Sequence, residues 1–232
     1  MPSSTEWKFY YQQNAQSLLE IPWHLGAELT PEETIAVSQS VKEFQAGENS
    51  EGKHLYQDAQ KYSEQTGDQD YVVAIKMFIA EEQRHARDLA RFLTLNKIPL
   101  VKTTFTDVVF RKLRHLFGGL EISIAVLITA EIIAKVYYAA LREATKSKIL
   151  IGLCDQILRD EVKHVQFQSE QLSKLRSNRN YFGLVWTMGL QRFLFFGTVF
   201  VVWLFHRKVF LRGNFSFQRY WQACWREFNE AF

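Results

Sequence analysis

The chain has 232 residues, 47% of them hydrophobic and 23% charged, with 11 glycines, four prolines and two cysteines. That length suits one hydrophobic core with an appendage. Scarce Gly and Pro, few alternating stretches and long runs of three-to-four-residue apolar spacing define an all-α class. Cys154 and Cys224 cannot build a disulfide framework or a paired-cysteine metal knuckle. The opening MPSSTEWKFYYQQ has no apolar run and is not a secretory signal, so a reducing, cytoplasmic setting is expected. The formal net charge of +3 hides an asymmetry: residues 171–232 carry nine basic and two acidic residues, leaving residues 1–170 net acidic.

In chain order, residues 1–30 read as a short helical or irregular lead-in ending near Pro22 and Trp23. Thr30-Pro31-Glu32-Glu33 is a helix start, with a Thr cap, Pro in the first turn and acids at the positive end of the dipole. The first long helix is expected over 31–65, stopping at Thr66-Gly67-Asp68, and the second over 69–96, stopping before Pro99. A lead-in helix over 104–117 precedes Gly118-Gly119. A third long helix over 119–145 and a fourth over 147–177 follow. The short connections make first and second, and third and fourth, antiparallel neighbours. This four-helix bundle over 31–177 is followed by an appendage over 178–232, with an apolar helix over 181–211 and an aromatic one over 215–231.

The chemistry-bearing residues lie on apolar stripes. The second helix places Ile75, Phe78, Glu82, His85, Leu89 and Phe92 on one face. Glu82 and His85, at i and i+3, point the same way. The fourth helix repeats the device with Leu150, Cys154, Ile157, Glu161, His164 and Gln168. Asp160-Glu161-Val162-Lys163-His164 matches Glu81-Glu82-Gln83-Arg84-His85 in type, position by position. The third helix carries Glu131 among Leu127, Ile128, Ile132 and Ala134. An ionised carboxylate there costs several kcal/mol unless a cation meets it, and a divalent metal is such a partner. The competing reading is a metal-free bundle in which Lys135 and Arg84 neutralise the acids.

The first helix offers Glu48 and Glu51. The Glu-x-x-His motif recurs at an offset of 79, from Glu82 to Glu161. Glu51 to Glu131 is an offset of 80, and Glu48 to Glu131 is 83. Repeat symmetry therefore favours Glu51 as the ligand, with Glu48 as the alternative.

Two Glu-x-x-His motifs plus one Glu from each of two further helices form the ligand pattern of ferritin-like bundles. In Glu51, Glu82-x-x-His85, Glu131 and Glu161-x-x-His164 the chain resembles the ferritin, rubrerythrin and di-iron oxygenase superfamily over about residues 31–177. It lacks a rubredoxin-like cysteine domain and adds an aromatic tail that ordinary ferritins do not have. The resemblance implies a ferritin-like four-helix bundle holding two Fe ions, or a Mn/Fe pair. Oxygen and imidazole donors suit those metals.

Such a pair can react with O2 or peroxide, so the expected activity is a non-haem dimetal oxidase, oxygenase or peroxidase acting on a small or lipophilic substrate, with an unidentified electron donor. Alternatives are a ferroxidase or iron-handling protein, and a non-catalytic, membrane-associated helical module. A metal-bound imidazole needs an acceptor for its other N–H; Asp160 is expected to serve His85, and Glu81 to serve His164. Tyr56, Tyr62, Tyr137 and Tyr138 are read as electron donors near the site or as packing. Cys154 is read as core, and His24, His54, His115 and His206 as ordinary.

Residues 182–205 form a 24-residue stretch with one charge, Arg192. It is long enough to cross a bilayer, and basic His206, Arg207, Lys208 and Arg212 follow it. Gln191 and Arg192 argue against a clean span. Membrane contact through 182–212 stands beside packing on the bundle or against a second copy in a homodimer. Nucleic-acid binding is not expected, because the aromatics lie in an apolar run and not among the charges.

Overall fold

A computed structural model describes residues 2–49, 52–101, 119–177 and 179–232. They are all-α, with no strand among the described residues. The helices are α1 (Ser4–Asn14), α2 (Pro31–Glu48), α3 (Lys53–Thr66), α4 (Gln69–Leu95), α5 (Leu120–Ala144), α6 (Lys148–Arg176), α7 (Tyr181–Arg212) and α8 (Phe217–Ala231), with a 3-10 turn at Trp23–Leu25. The architecture is the ferritin-like bundle, built from α2 with α3, α4, α5 and α6.

Local chemistry sets the helix starts. Thr30 Oγ1 accepts from the Glu33 amide, and the Glu33 carboxylate accepts from the Thr30 amide, with Pro31 in the first turn. Asp68 caps α4 through the Tyr71 amide, and Ser147 caps α6 through the Leu150 amide.

One expectation is corrected. The single helix over 31–65 is two helices, α2 and α3. Gly52, at φ 142° and ψ −64°, stands at the start of α3. L side chains rarely take that backbone, and a Cβ there would lie 3.0 Å from Ile79 Cγ2. Periodicity cannot register such a break, because the apolar stripe resumes in nearly the same phase. The expected helix over 104–117 lies outside the described residues.

The lead-in and the tail join the core. Trp7 and Tyr11 of α1 are buried beside α4 and α6. α7 lies on α5 and α2, and α8 lies mainly on α5. Phe195, Val199, Phe210, Tyr220 and Phe228 belong to the same cluster of buried side chains as Phe78, Ile128 and Ile157. α5 is the spine of this arrangement: it is apolar enough to pass for a membrane span, yet 78% of its apolar window is buried by neighbouring helices. α7 closes against its end. A Cβ at Gly213 would sit 2.2 Å from the Ala140 carbonyl oxygen, so only glycine allows this approach, and Arg212 Nε donates to the Ala144 carbonyl at 2.7 Å.

Candidate metal centre

Glu82 and His85 occupy the middle of α4, Glu161 and His164 the middle of α6, Glu131 the middle of α5, and Glu48 the last turn of α2. All six are buried. Their ligand atoms form two groups, each with members within 4.8 Å of one another: Glu48, Glu82, His85 and Glu161 in one, Glu82, Glu131 and His164 in the other. Glu82 belongs to both. His164 Nδ1 lies 3.1 Å, and His85 Nδ1 3.5 Å, from Glu82 Oε1. His85 Nδ1 is 4.0 Å from Glu48 Oε2, and His164 Nδ1 is 3.8 Å from Glu161 Oε2. Glu51 lies outside the described residues. Glu48 is the α2 acid that the structure places in the cluster.

The inward atoms face only one another. Glu82 Oε1, His85 Nδ1, Glu131 Oε2, Glu161 Oε2 and His164 Nδ1 are all buried without a hydrogen-bond partner. Buried polar atoms are rarely left so, and each such atom costs about 1–3 kcal/mol. Five orphaned donor atoms converging on one volume fit a bound cation. The counter-ion alternative fails: Lys135 pairs with Glu227 of α8, and Arg84 Nη2 pairs with Asp160 Oδ2 at 2.6 Å. Four carboxylates and two neutral imidazoles balance two divalent ions, and this oxygen-and-imidazole set suits iron or manganese.

The other face of each histidine is held. His85 Nε2 lies 3.0 Å from Asp160 Oδ2, and His164 Nε2 lies 2.9 Å from Glu81 Oε2. The pairing is crossed: each imidazole meets the acid that precedes the other motif's Glu. A carboxylate at Nε2 keeps a proton there and turns the Nδ1 lone pair inward. Asp160 in turn accepts from Arg84, from Gln156 Nε2 at 2.8 Å and from Asn14 Nδ2 at 2.8 Å. Asn14 Nδ2 also donates to Glu81 Oε1 at 2.7 Å, so one amide from α1 ties both acids together. Tyr138 Oη donates to Glu48, and Gln168 Nε2 donates to Glu131.

Sequence reasoning missed Asn14, Gln156 and the role of Gln168. Gln168 was legible as the next turn of the His164 stripe. Asn14 carried no signal beyond the Ser3–Glu6 capping box that starts its helix. Of the tyrosines, Tyr138 touches the cluster, Tyr137 bonds Ser40 at 2.8 Å, Tyr62 meets Tyr71 edge-on, and Tyr56 packs against the core.

Electrostatics report the same strain. Burial, with the nearby Glu82 charge, raises the Glu161 carboxyl well above its usual range. Burial raises Glu131 likewise, against the pull of His164, and lifts Glu48 to about 8. Burial also acts on Glu82, but both imidazoles outweigh it and hold this carboxyl low. For His85 burial favours the neutral ring; Asp160 and Glu82 overcome it and lift the imidazole to about 9.

Asp160→Asn keeps the shape at His85 and removes the charge. It is expected to lower metal affinity about 10–100-fold with helix content unchanged. Chelator competition and circular dichroism check this, and an unchanged affinity would deny Asp160 a positioning role.

No family model matches the sequence, and no curated protein matches it. Solved structures do. Two variants of an R2-like ligand-binding oxidase, each with an aerobically reconstituted Mn/Fe cofactor, superpose with TM-scores of 0.68 and 0.67. Each is 16% identical over 99% of this chain, covering 92% and 93% of the other. The shared feature is the fold: this chain has the helical-bundle architecture of the R2-like oxidases, and its buried carboxylate–histidine cluster lies inside that bundle.

Proposed function

We propose that the chain is a dimetal oxidase. Two iron ions, or a manganese and an iron, are held by Glu48, Glu82, His85, Glu131, Glu161 and His164. The observation that carries this reading is the convergence of orphaned, buried carboxylate and imidazole atoms in two groups sharing Glu82. Glu48 is preferred to Glu51 as the α2 ligand because Tyr138 fixes it beside Glu82 and His85. The likeness in fold to Mn/Fe-containing oxidases supports the metal assignment.

When bound, the metal pair supplies electrons to O2 or peroxide and the oxidising power for the substrate. The protein's own residues prepare the site. Asp160 and Glu81 hold the imidazoles in the tautomer that presents Nδ1. Tyr138 and Gln168 orient the carboxylates of Glu48 and Glu131. Phe78 meets the His164 ring edge-on at 4.7 Å, and all six ligand residues are buried, so water is largely excluded. Apolar surroundings favour a small or lipophilic substrate. Two free, buried cysteines suit a reducing compartment.

The test is O2 uptake. Protein loaded anaerobically with ferrous iron is expected to consume O2 on exposure to air, at a rate well above that of free ferrous iron. A loaded protein inert to both O2 and peroxide would sink the reading.

A further inference from the structure

α7 is built with its polarity reversed. By length and composition it could cross a bilayer, but only 28% of its apolar window is buried. The face on the bundle carries Gln191, Thr198 and His206 together with Phe195, Val202 and Val209. The opposite face carries Phe182, Trp186, Leu190, Phe193, Phe200, Leu204 and Leu211, all exposed. At 100° per residue these seven fall within an arc of about 80°, nearly opposite the buried residues. Phe182 is 82%, Trp186 74% and Phe193 78% exposed. An ordinary surface helix turns its uncharged polar residues outward, whereas α7 buries Gln191, Thr198 and His206 and shows a strip of aromatic and leucine side chains about 45 Å long.

The charges beside the strip say what covers it. α7 holds Arg192, Arg207, Lys208 and Arg212 and no acidic residue, and all four cations are exposed. Arg207 and Lys208 flank the strip at either edge between Leu204 and Leu211. A second copy of the chain would bring the same cations to the contact. An anionic lipid surface takes up the aromatics and neutralises the cations together. A transmembrane course does not fit, because the inner face is already occupied: His206 Nδ1 lies 2.8 Å from Ser40 Oγ of α2, and Arg212 is bonded to the end of α5.

We infer that α7 is a monotopic docking helix. It lies in the plane of an anionic bilayer with Phe182, Trp186, Phe193, Phe200 and Leu204 in the acyl boundary and the bundle outside. This inference is independent of the proposed metal chemistry.

Flotation of the purified full chain with vesicles tests it. Binding is expected to vesicles of phosphatidylcholine with phosphatidylserine, to be much weaker with phosphatidylcholine alone, and to weaken in high salt. Reversing Arg207 and Lys208 to Glu should lower affinity about tenfold or more. Phe193→Ser with Phe200→Ser should abolish binding while circular dichroism and metal content stay unchanged. Bound protein should be released by alkaline carbonate.

Failure to float with anionic vesicles overturns the inference. So does a stable dimer in solution that Phe193→Ser dissociates, which would make the strip a subunit interface. Carbonate resistance would equally overturn in-plane docking, in favour of a span.

Discussion

Glu82→Ala is expected to strip both metal ions from the protein, whereas His85→Ala should weaken only one. Glu82 is the one residue common to both ligand groups, with an oxygen 3.1 Å from His164 Nδ1 and 3.5 Å from His85 Nδ1. Removing an acid that merely supports a ligand costs about 10–100-fold in metal affinity, so losing a carboxylate common to both ligand groups should cost more than 10²-fold. Metal analysis after gel filtration reads the result directly. Wild type should retain two ions per chain, His85→Ala about one, and Glu82→Ala essentially none. O2 uptake by the ferrous-loaded variant should vanish with the metal. A Glu82→Ala protein that keeps both ions would show that Glu82 does not join the two groups. Circular dichroism provides the folding control, since residual helicity separates loss of a ligand from loss of the bundle.

Adding metal should raise thermal stability sharply. Without a cation, several carboxylates are buried together, with burial and mutual repulsion pushing Glu131 and Glu161 toward the protonated form. A ligand bound only by the native state at about a thousand times its dissociation constant stabilises by roughly 4 kcal/mol. For a chain of this size that corresponds to a rise in Tm of roughly 8–16 °C. Differential scanning calorimetry of metal-free protein titrated anaerobically with ferrous or manganous ion measures it. Magnesium, which prefers a hydrated all-oxygen shell, should shift Tm little. The Glu82→Ala variant should lose the ferrous-dependent rise. A wild-type Tm indifferent to both ferrous and manganous ion would mean that the converging atoms do not form a metal site in the folded chain.

The helices were legible because their signals are local. Thr30-Pro31, Asp68 and Ser147 satisfy orphan amides within one turn of themselves, and they mark helix starts wherever the rest of the chain lies. Glu82 with His85 and Glu161 with His164 were legible for the same reason: residues three apart on an apolar stripe share a face and point inward. The break between α2 and α3 was not legible, because it depends on a backbone conformation at Gly52 and on the nearness of Ile79, which is distant in sequence. Repeat symmetry favours Glu51 over Glu48 on the assumption of one unbroken helix, and Glu51 itself lies outside the described residues. The structure ends α2 at Glu48 and sets that carboxylate against Tyr138.

An all-α chain, two matched Glu-x-x-His motifs and a lone acid on an apolar third helix can be read from the residues in order. All of these follow from periodicity and capping within single helices. Most of the contacts between helices depend on packing. The pairing of His85 with Asp160 and of His164 with Glu81 is the one the matched acids predict; packing brought Asn14 from the lead-in to tie those acids together and sent Lys135 to Glu227, away from Glu131. It also decided which side of α7 faces outward. That helix is apolar almost all round, so its pattern names no inner face; the fit of Gly213 against Ala140 and of His206 against Ser40 sets its rotation. Local pattern fixes what a helix presents, and only packing fixes what it is presented to.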